Sequence, residues 1–146
     1  MRIAIGSDHA GFELKQHVKA TLTRAGHDVF DVGTDSPESV DYPDFAAQGA
    51  ELVARGDAEL GVLACGSGNG VAIVANKVSG IRAVNAHDVN EAEMARRHND
   101  ANVIALSGTR LSQGDAEDIV SAFLRTGFEG GRHARRVDRI AQLEGH

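Results

Sequence analysis

The chain has no tryptophan, one tyrosine and five phenylalanines. That scarcity excludes an aromatic stacking platform for single-stranded nucleic acid. It has one cysteine, Cys65, which excludes an intrachain disulfide and any metal cage built of cysteines alone. Prolines number two, and the 17 glycines follow no Gly-X-Y period, so the chain is neither collagenous nor of low complexity. No apolar run approaches a bilayer span, and the N-terminus reads as a strand rather than a signal sequence. A soluble cytoplasmic protein without a membrane partner is the expectation. The net charge of −6 excludes a general binder of nucleic-acid backbones. With 146 residues, 42% of them apolar, one domain over 1–146 can bury a real core.

What is present is unevenly spread. Residues 28 to 59 hold nine acids and one base, Arg55. Residues 132 to 139 hold four arginines, one histidine and one acid. A basic patch on an acidic protein suits a local anionic group such as a phosphate. A solvated tail helix is the other reading of the same residues. Arg132, Arg135, Arg136 and Arg139 follow helical spacing and form one cationic stripe, with Val137, Ile140 and Ala141 on another face.

Strands and helices alternate. Arg2 to Gly6 reads as a buried strand ending in Ser7-Asp8-His9. Leu14, Val18, Leu22 and Ala25 then recur at helical spacing, closed by Gly26. Asp28 to Val32 is a second strand. A helix through Phe45, Gly49, Leu52 and Val53 stops at Gly56. Leu60 to Cys65 is the most apolar strand and runs straight into Gly66-Ser67-Gly68-Asn69-Gly70. A short helix through Val71, Val74 and Val78 precedes a fourth strand, Ile81 to Ala86. Asp88, with Glu91 after it, caps a helix carrying Met94, Ala95 and His98. Asn102 to Leu106 is the fifth strand, and Ser112 opens the helix of Ala116, Ile119, Val120 and Phe123. A last helix spans about 132–143. The expected fold is α/β, a three-layer, doubly wound, Rossmann-like parallel sheet of five strands in the order 2-1-3-4-5.

In such a sheet, ligands bind at the carboxyl ends of the strands, where strand order reverses. That places Asp8, His9 and Cys65 around one crevice. The glycines at 66 to 70 let backbone approach a ligand closely, and amides entering the next helix can hold an oxyanion. The loop does not fit the dinucleotide fingerprint and lacks the end of a P-loop. A cysteine at a strand end beside such a loop is placed to form a thiolate; a lone cysteine is otherwise a small buried hydrophobe. His98 lies ten residues along a helix that runs back from the carboxyl edge, about 15 Å toward the opposite edge, so His98 and Asn99 should not reach Cys65 of their own chain. Either it is a surface or capping residue, or it serves the site of a second subunit. No metal is expected, because His9, His87, His98 and His133 do not form a paired helical ligand pattern and the aspartates do not form a calcium loop.

Together these segments resemble one family. Gly6-Ser7-Asp8-His9-Ala10-Gly11-Phe12, Asp41-Tyr42-Pro43, Cys65-Gly66-Ser67-Gly68-Asn69-Gly70, Ala75-Asn76-Lys77, Gly80-Ile81-Arg82-Ala83, Arg97-His98-Asn99-Asp100-Ala101-Asn102 and Gly131-Arg132-His133 are similar to the type B ribose-5-phosphate isomerases. That family also takes in allose-6-phosphate and galactose-6-phosphate isomerases. The resemblance covers almost the whole chain in order. It implies aldose–ketose isomerisation of a sugar phosphate through a cis-enediolate, with no metal or other cofactor. It implies Cys65 as the base between C2 and C1, with Ser67 and the amides of Gly66, Gly68, Asn69 and Gly70 on the enediolate oxygen. It implies His98 as the group that opens the furanose ring, with Asp8, His9, Tyr42 and Asn99 around the sugar. Arg132, Arg136 and Arg110 would hold the phosphate. A homodimer or dimer of dimers, with its sites at the subunit interface, follows as well. Some relatives use a glutamate after the glycine loop; Val71 stands there, which groups this chain with the cysteine users.

Three other readings are open. A six-carbon sugar phosphate fits the same chemistry. A nucleotide-binding module would explain the loop and fold but leave Cys65, His98 and the arginines without a task. A thiol redox protein lacks a resolving cysteine.

Overall fold

A computed structural model describes residues 1–144, so the end of the expected 1–146 domain, Gly145 and His146, lies outside the described residues. The order is β1 (Arg2–Ser7), α1 (Phe12–Arg24), β2 (Asp28–Asp31), α2 (Tyr42–Ala54), β3 (Leu60–Cys65), α3 (Asn69–Ala75), β4 (Ala83–Asn85), α4 (Val89–Asn99), β5 (Val103–Ser107), α5 (Gln113–Arg125) and α6 (Arg132–Leu143). The strands pair in parallel. Side chains that alternate along each strand fill two separate cores. Ile3, Ile5, Val62, Ala64, Ile104 and Leu106 face Leu14, Val18, Ala95, Ile119 and Phe123. Ala4, Leu63, Cys65, Val103 and Ala105 face Ala46, Ala50, Val53, Val71 and Ala75. Helices therefore cover both faces, and the three-layer α/β reading holds.

The strand order does not. The sheet runs β2-β1-β3-β5-β4, with the last two strands exchanged relative to 2-1-3-4-5. The reason lies in the strands themselves. β5 is buried at every position and must be flanked on both edges, whereas β4 is three half-buried residues ending in Asn85, which suits an outer edge. The exchange moves His87 and Asp88 outward and brings Ser107-Gly108-Thr109 against the end of β3. The reversal of strand order between β1 and β3 is unaffected.

The capping residues act as their spacing suggests. Asp88 accepts a hydrogen bond from the Glu91 amide at 2.8 Å, and Ser112 accepts one from Asp115 at 3.0 Å. Gly26 and Gly56 end α1 and α2 with φ of 90° and 81°. One buried side chain has no place in the apolar pattern of α1. Lys15 is 2% exposed. Its Nζ donates to both Asp31 oxygens at 2.9 Å and to the Thr34 carbonyl at 2.6 Å. Burial pushes the Asp31 carboxyl up, but Lys15, the Gly33 amide and Lys19 together hold it below the usual carboxylate range. Among the described residues no helix is long and apolar enough to cross a membrane.

Candidate active site

The carboxyl edge of the sheet gathers most of the expected residues. β1 and β3 pair as far as Ser7 and Ala64, so Asp8 and Cys65 leave neighbouring strands side by side. Asp8 is buried; its Oδ1 accepts from the Gly11 amide at 3.1 Å and its own amide donates to the Ala64 carbonyl at 3.3 Å. His9 Nδ1 accepts from the Val40 amide at 3.1 Å, so Nδ1 is the unprotonated ring nitrogen and Nε2 carries the proton. A cleft of about 350 Å³ opens beside it, lined by His9, Ala10, Pro37, Gly108 and Leu111.

Cys65 ends β3 and is 4% exposed. Its sulfur packs at the border of the second core, yet it accepts a hydrogen bond from the Gly68 amide at 3.2 Å. Gly68 sits at φ 82°, a left-handed conformation that turns its amide back over the sulfur. Ser67 Oγ accepts from the Asn69 amide at 3.1 Å. Asn85, at the end of β4, staples the loop from outside: its Nδ2 donates to the Ser67 carbonyl at 3.1 Å and to Asn69 Oδ1 at 2.7 Å. Tyr42 starts α2 and lies on Gly70, where an added Cβ would stand 2.6 Å from its ring. The Gly66 carbonyl accepts from Ser107 Oγ at 2.6 Å and Thr109 Oγ1 at 2.8 Å. The exposed Arg110 leaves the same edge, its amide donating to Ser107 Oγ at 3.2 Å.

At the end of β3 main chain packs on main chain. A Cβ on Gly11 would stand 2.7 Å from the Ala64 carbonyl oxygen, and one on Gly108 would stand 2.5 Å from the Ala10 carbonyl oxygen. The chain after β1 and the chain after β5 thus cross the end of β3 in direct backbone contact.

The remaining expected residues assemble elsewhere. His98 and Asn99 close α4, which starts near the carboxyl edge and runs back about 15 Å to the amino edge. There the carbonyl of Asp100, at φ 47°, accepts from Arg82 Nε at 2.8 Å, beside the start of β4. The His98 ring stacks on that of His133 in α6, and Glu129 approaches both. Arg132 and Arg136 are exposed on the same helix and add positive charge around His133. The chain therefore carries two separate constellations. One comprises Cys65, Ser67, the glycine loop, Asp8, His9, Tyr42 and Arg110; the other comprises His98, Asn99, Arg132 and Arg136.

Asn85 and Glu129 escaped the sequence reading, which gave Thr109 and His133 no task of their own. Glu129 does stand one helical turn before His133, and the paired glycines between them, Gly130 and Gly131, both with positive φ, mark the bend that joins them. The ligand atoms of His98, Glu129 and His133 lie within 4.8 Å of one another, a grouping made between elements that helical spacing alone does not reveal. As a metal centre the arrangement is poor. Stacked rings inclined by 12° hold their lone pairs side by side rather than converging, and the neighbouring arginines oppose a cation.

Comparison with known proteins adds an independent line. The family model described as Ribose/Galactose Isomerase matches residues 3–140. Ribose-5-phosphate isomerase B of Escherichia coli is 45% identical over 143 residues, spanning 98% of this chain and 96% of that protein. The solved structure of Clostridium thermocellum ribose-5-phosphate isomerase B superposes with a TM-score of 0.97 at 46% identity, covering 99% of this chain and 97% of the other. That of Mycoplasma genitalium ribose-5-phosphate isomerase B with bound ribulose-5-phosphate gives 0.94 at 41% identity, covering 98% and 95%.

Proposed function

This chain belongs to the Ribose/Galactose Isomerase family, and we propose that it interconverts ribose 5-phosphate and ribulose 5-phosphate through a cis-enediolate. The observation that carries the reading is the similarity, over 98% of the chain, to an isomerase solved with ribulose-5-phosphate bound.

In this reading the Cys65 thiolate takes the proton from C2 of the open-chain aldose. The electron pair passes into a C1–C2 double bond and the carbonyl becomes an enediolate oxygen. The same sulfur then returns the proton to C1, while a proton moves from O2 to O1, and the ketose is complete. Ser67 and the amides of the 66–70 loop face the charge as it develops, which is where fixed donors accelerate most. Asp8, His9 and Tyr42 bracket the sugar. Arg110, Arg132 and Arg136 take the phosphate, each through planar paired donors. His98 opens the furanose ring, with Asn99 beside it.

Support for a shared site comes from the two constellations on opposite edges of one sheet. A homodimer that sets the α4–α6 end of one protomer over the Cys65 loop of its partner completes each site. Ile140 and Leu143 on α6 are 44% and 68% exposed, apolar surface that such a dimer would cover.

The test is direct. Ribose 5-phosphate should yield ribulose 5-phosphate, and Cys65→Ala should remove turnover while leaving the fold intact. Turnover of allose 6-phosphate with none of ribose 5-phosphate would overturn the substrate; undiminished turnover by Cys65→Ala would overturn the base.

A further inference from the structure

Two side chains beside His98 have no part in the reaction as proposed: Glu129 and His133. The Glu129 amide donates to the Arg97 carbonyl at 3.0 Å, so the bend before α6 is tied to the last turn of α4. Gly130 and Gly131, at φ 72° and 57°, fold the chain back within that bend, and the His133 amide returns to the Gly130 carbonyl at 3.1 Å. The result sets one carboxylate against two imidazoles. Glu129 Oε2 is 4.0 Å from His98 Nε2, and Oε1 is 3.7 Å from His133 Nε2. His133 is 6% exposed, and its Nε2 is buried without a hydrogen-bond partner. The other nearby charges are spoken for or positive. Glu93 pairs with Arg97 at 3.0 Å and with Arg125 of α5 at 3.8 Å; Arg132 and Arg136 face His133 from α6. Among the described residues Glu129 is the only carboxylate within ion-pair distance of His98.

We propose that Glu129 is a positioning residue for ring opening, orienting the His98 imidazole against the His133 ring and compensating the charge that His98 acquires. The proposal rests on the reading of His98 as the ring-opening group. Opening a furanose removes the proton of the anomeric hydroxyl and breaks the C1–O4 bond. The electron pair of that bond goes to O4, which takes up a proton. An imidazole that carries the proton from one oxygen to the other is a cation in between. It is a cation stacked on His133, the ring on which Arg132 and Arg136 act, and a facing carboxylate offsets the repulsion. Half-exposed as it is, Glu129 works through a partly screened field, so its share is smaller than that of the histidine it serves.

Ring opening can be separated from the later proton transfer. Ribulose 5-phosphate, its O5 esterified, cannot close to a furanose, so exchange of its C1 proton with deuterated solvent reads enediolate formation alone. Glu129→Gln keeps the shape and removes the charge. It should lower kcat on ribose 5-phosphate about tenfold, a tenth or less of what an acid–base group supplies, with KM and the exchange rate within about twofold of the parent. His98→Asn should show the same pattern more severely. Loss of both rates in His98→Asn would overturn the His98 reading. If His98→Asn loses only ring opening while Glu129→Gln loses nothing, the His98 reading survives and the Glu129 proposal does not. A Glu129→Gln chain that loses both rates equally, or only raises KM, would also overturn it, by showing a role in packing or in phosphate binding.

Discussion

The imidazoles of His98 and His133 stack face to face, their centroids 4.3 Å apart and their planes inclined by 12°. Each ring limits where the other can point. Burial, then the neighbouring His98 and Arg132, hold the His133 imidazolium below the ordinary histidine range.

That direction has a consequence for stability. The unfolded chain binds a proton at His133 near the ordinary value of 6.5, whereas the folded chain resists it to lower pH. The contribution is therefore fully present above 6.5 and is lost as pH falls through that value toward the lower folded one. The urea midpoint should fall between about pH 7.5 and about pH 5.5, and His133→Asn should flatten the slope. An equal slope in the variant would contradict the assignment.

The buried ammonium of Lys15 is held by Asp31 and the Thr34 carbonyl. Replacing it with methionine leaves the Asp31 carboxylate partly stranded, with the half-exposed Lys19 at 3.0 Å and the Gly33 amide at 2.9 Å. Lys15→Met should cost about 3 kcal/mol in urea unfolding, the scale for breaking one side of a buried pair. A loss below about 1 kcal/mol would put the pair in the surface class.

Gly68 is left-handed, and a Cβ there would run into the Asn85 carboxamide. Gly68→Ala should cost about 1–2 kcal/mol of stability for the backbone alone. It should also lower kcat about a hundredfold by turning the Gly68 amide away from the sulfur. Adding Asn85→Ala makes room and should recover part of the stability but not the rate. Full activity in the single variant would show that the amide over Cys65 is dispensable.

If each site draws Cys65 from one protomer and His98 from the other, two inactive variants should rescue one another. Mixed Cys65→Ala and His98→Asn chains, unfolded and refolded together in equal amounts, form half mixed dimers with one intact site each. The recovered rate should be about a quarter of the parent's. Mixed dimers demonstrated by mass spectrometry yet without activity would place both residues in one chain's site.

Much of this was legible in the residues. Strands ending in Ser7-Asp8-His9 and in Cys65 followed by the glycine loop were visible because each is an apolar run cut short by polar or flexible residues. The separation of His98 from Cys65 followed from helix rise alone. The strand order was missed because β4 and β5 look alike as short apolar runs; only burial on both edges tells the interior strand VIALS from the edge AVN. Lys15 was hidden because helical periodicity marks apolar positions and is blind to an ammonium whose partner lies on another element. Asn85, Glu129 and His133 act through contacts between elements, which spacing along one element does not report.

The backbone crossing at the end of β3 bears on how such a protein can change. Where Gly11 and Gly108 press against carbonyls, a mutation has no side chain to trim and no room to add one. On the proposed reading of Cys65 as the base, the end of the site that meets C1 and C2 is thus closed to gradual variation. A longer or shorter sugar can be admitted only from the far end, where exposed arginines on a helix can lengthen, retreat or be replaced one at a time. Substrate range in this architecture should drift at the phosphate while the carbon chemistry stays put.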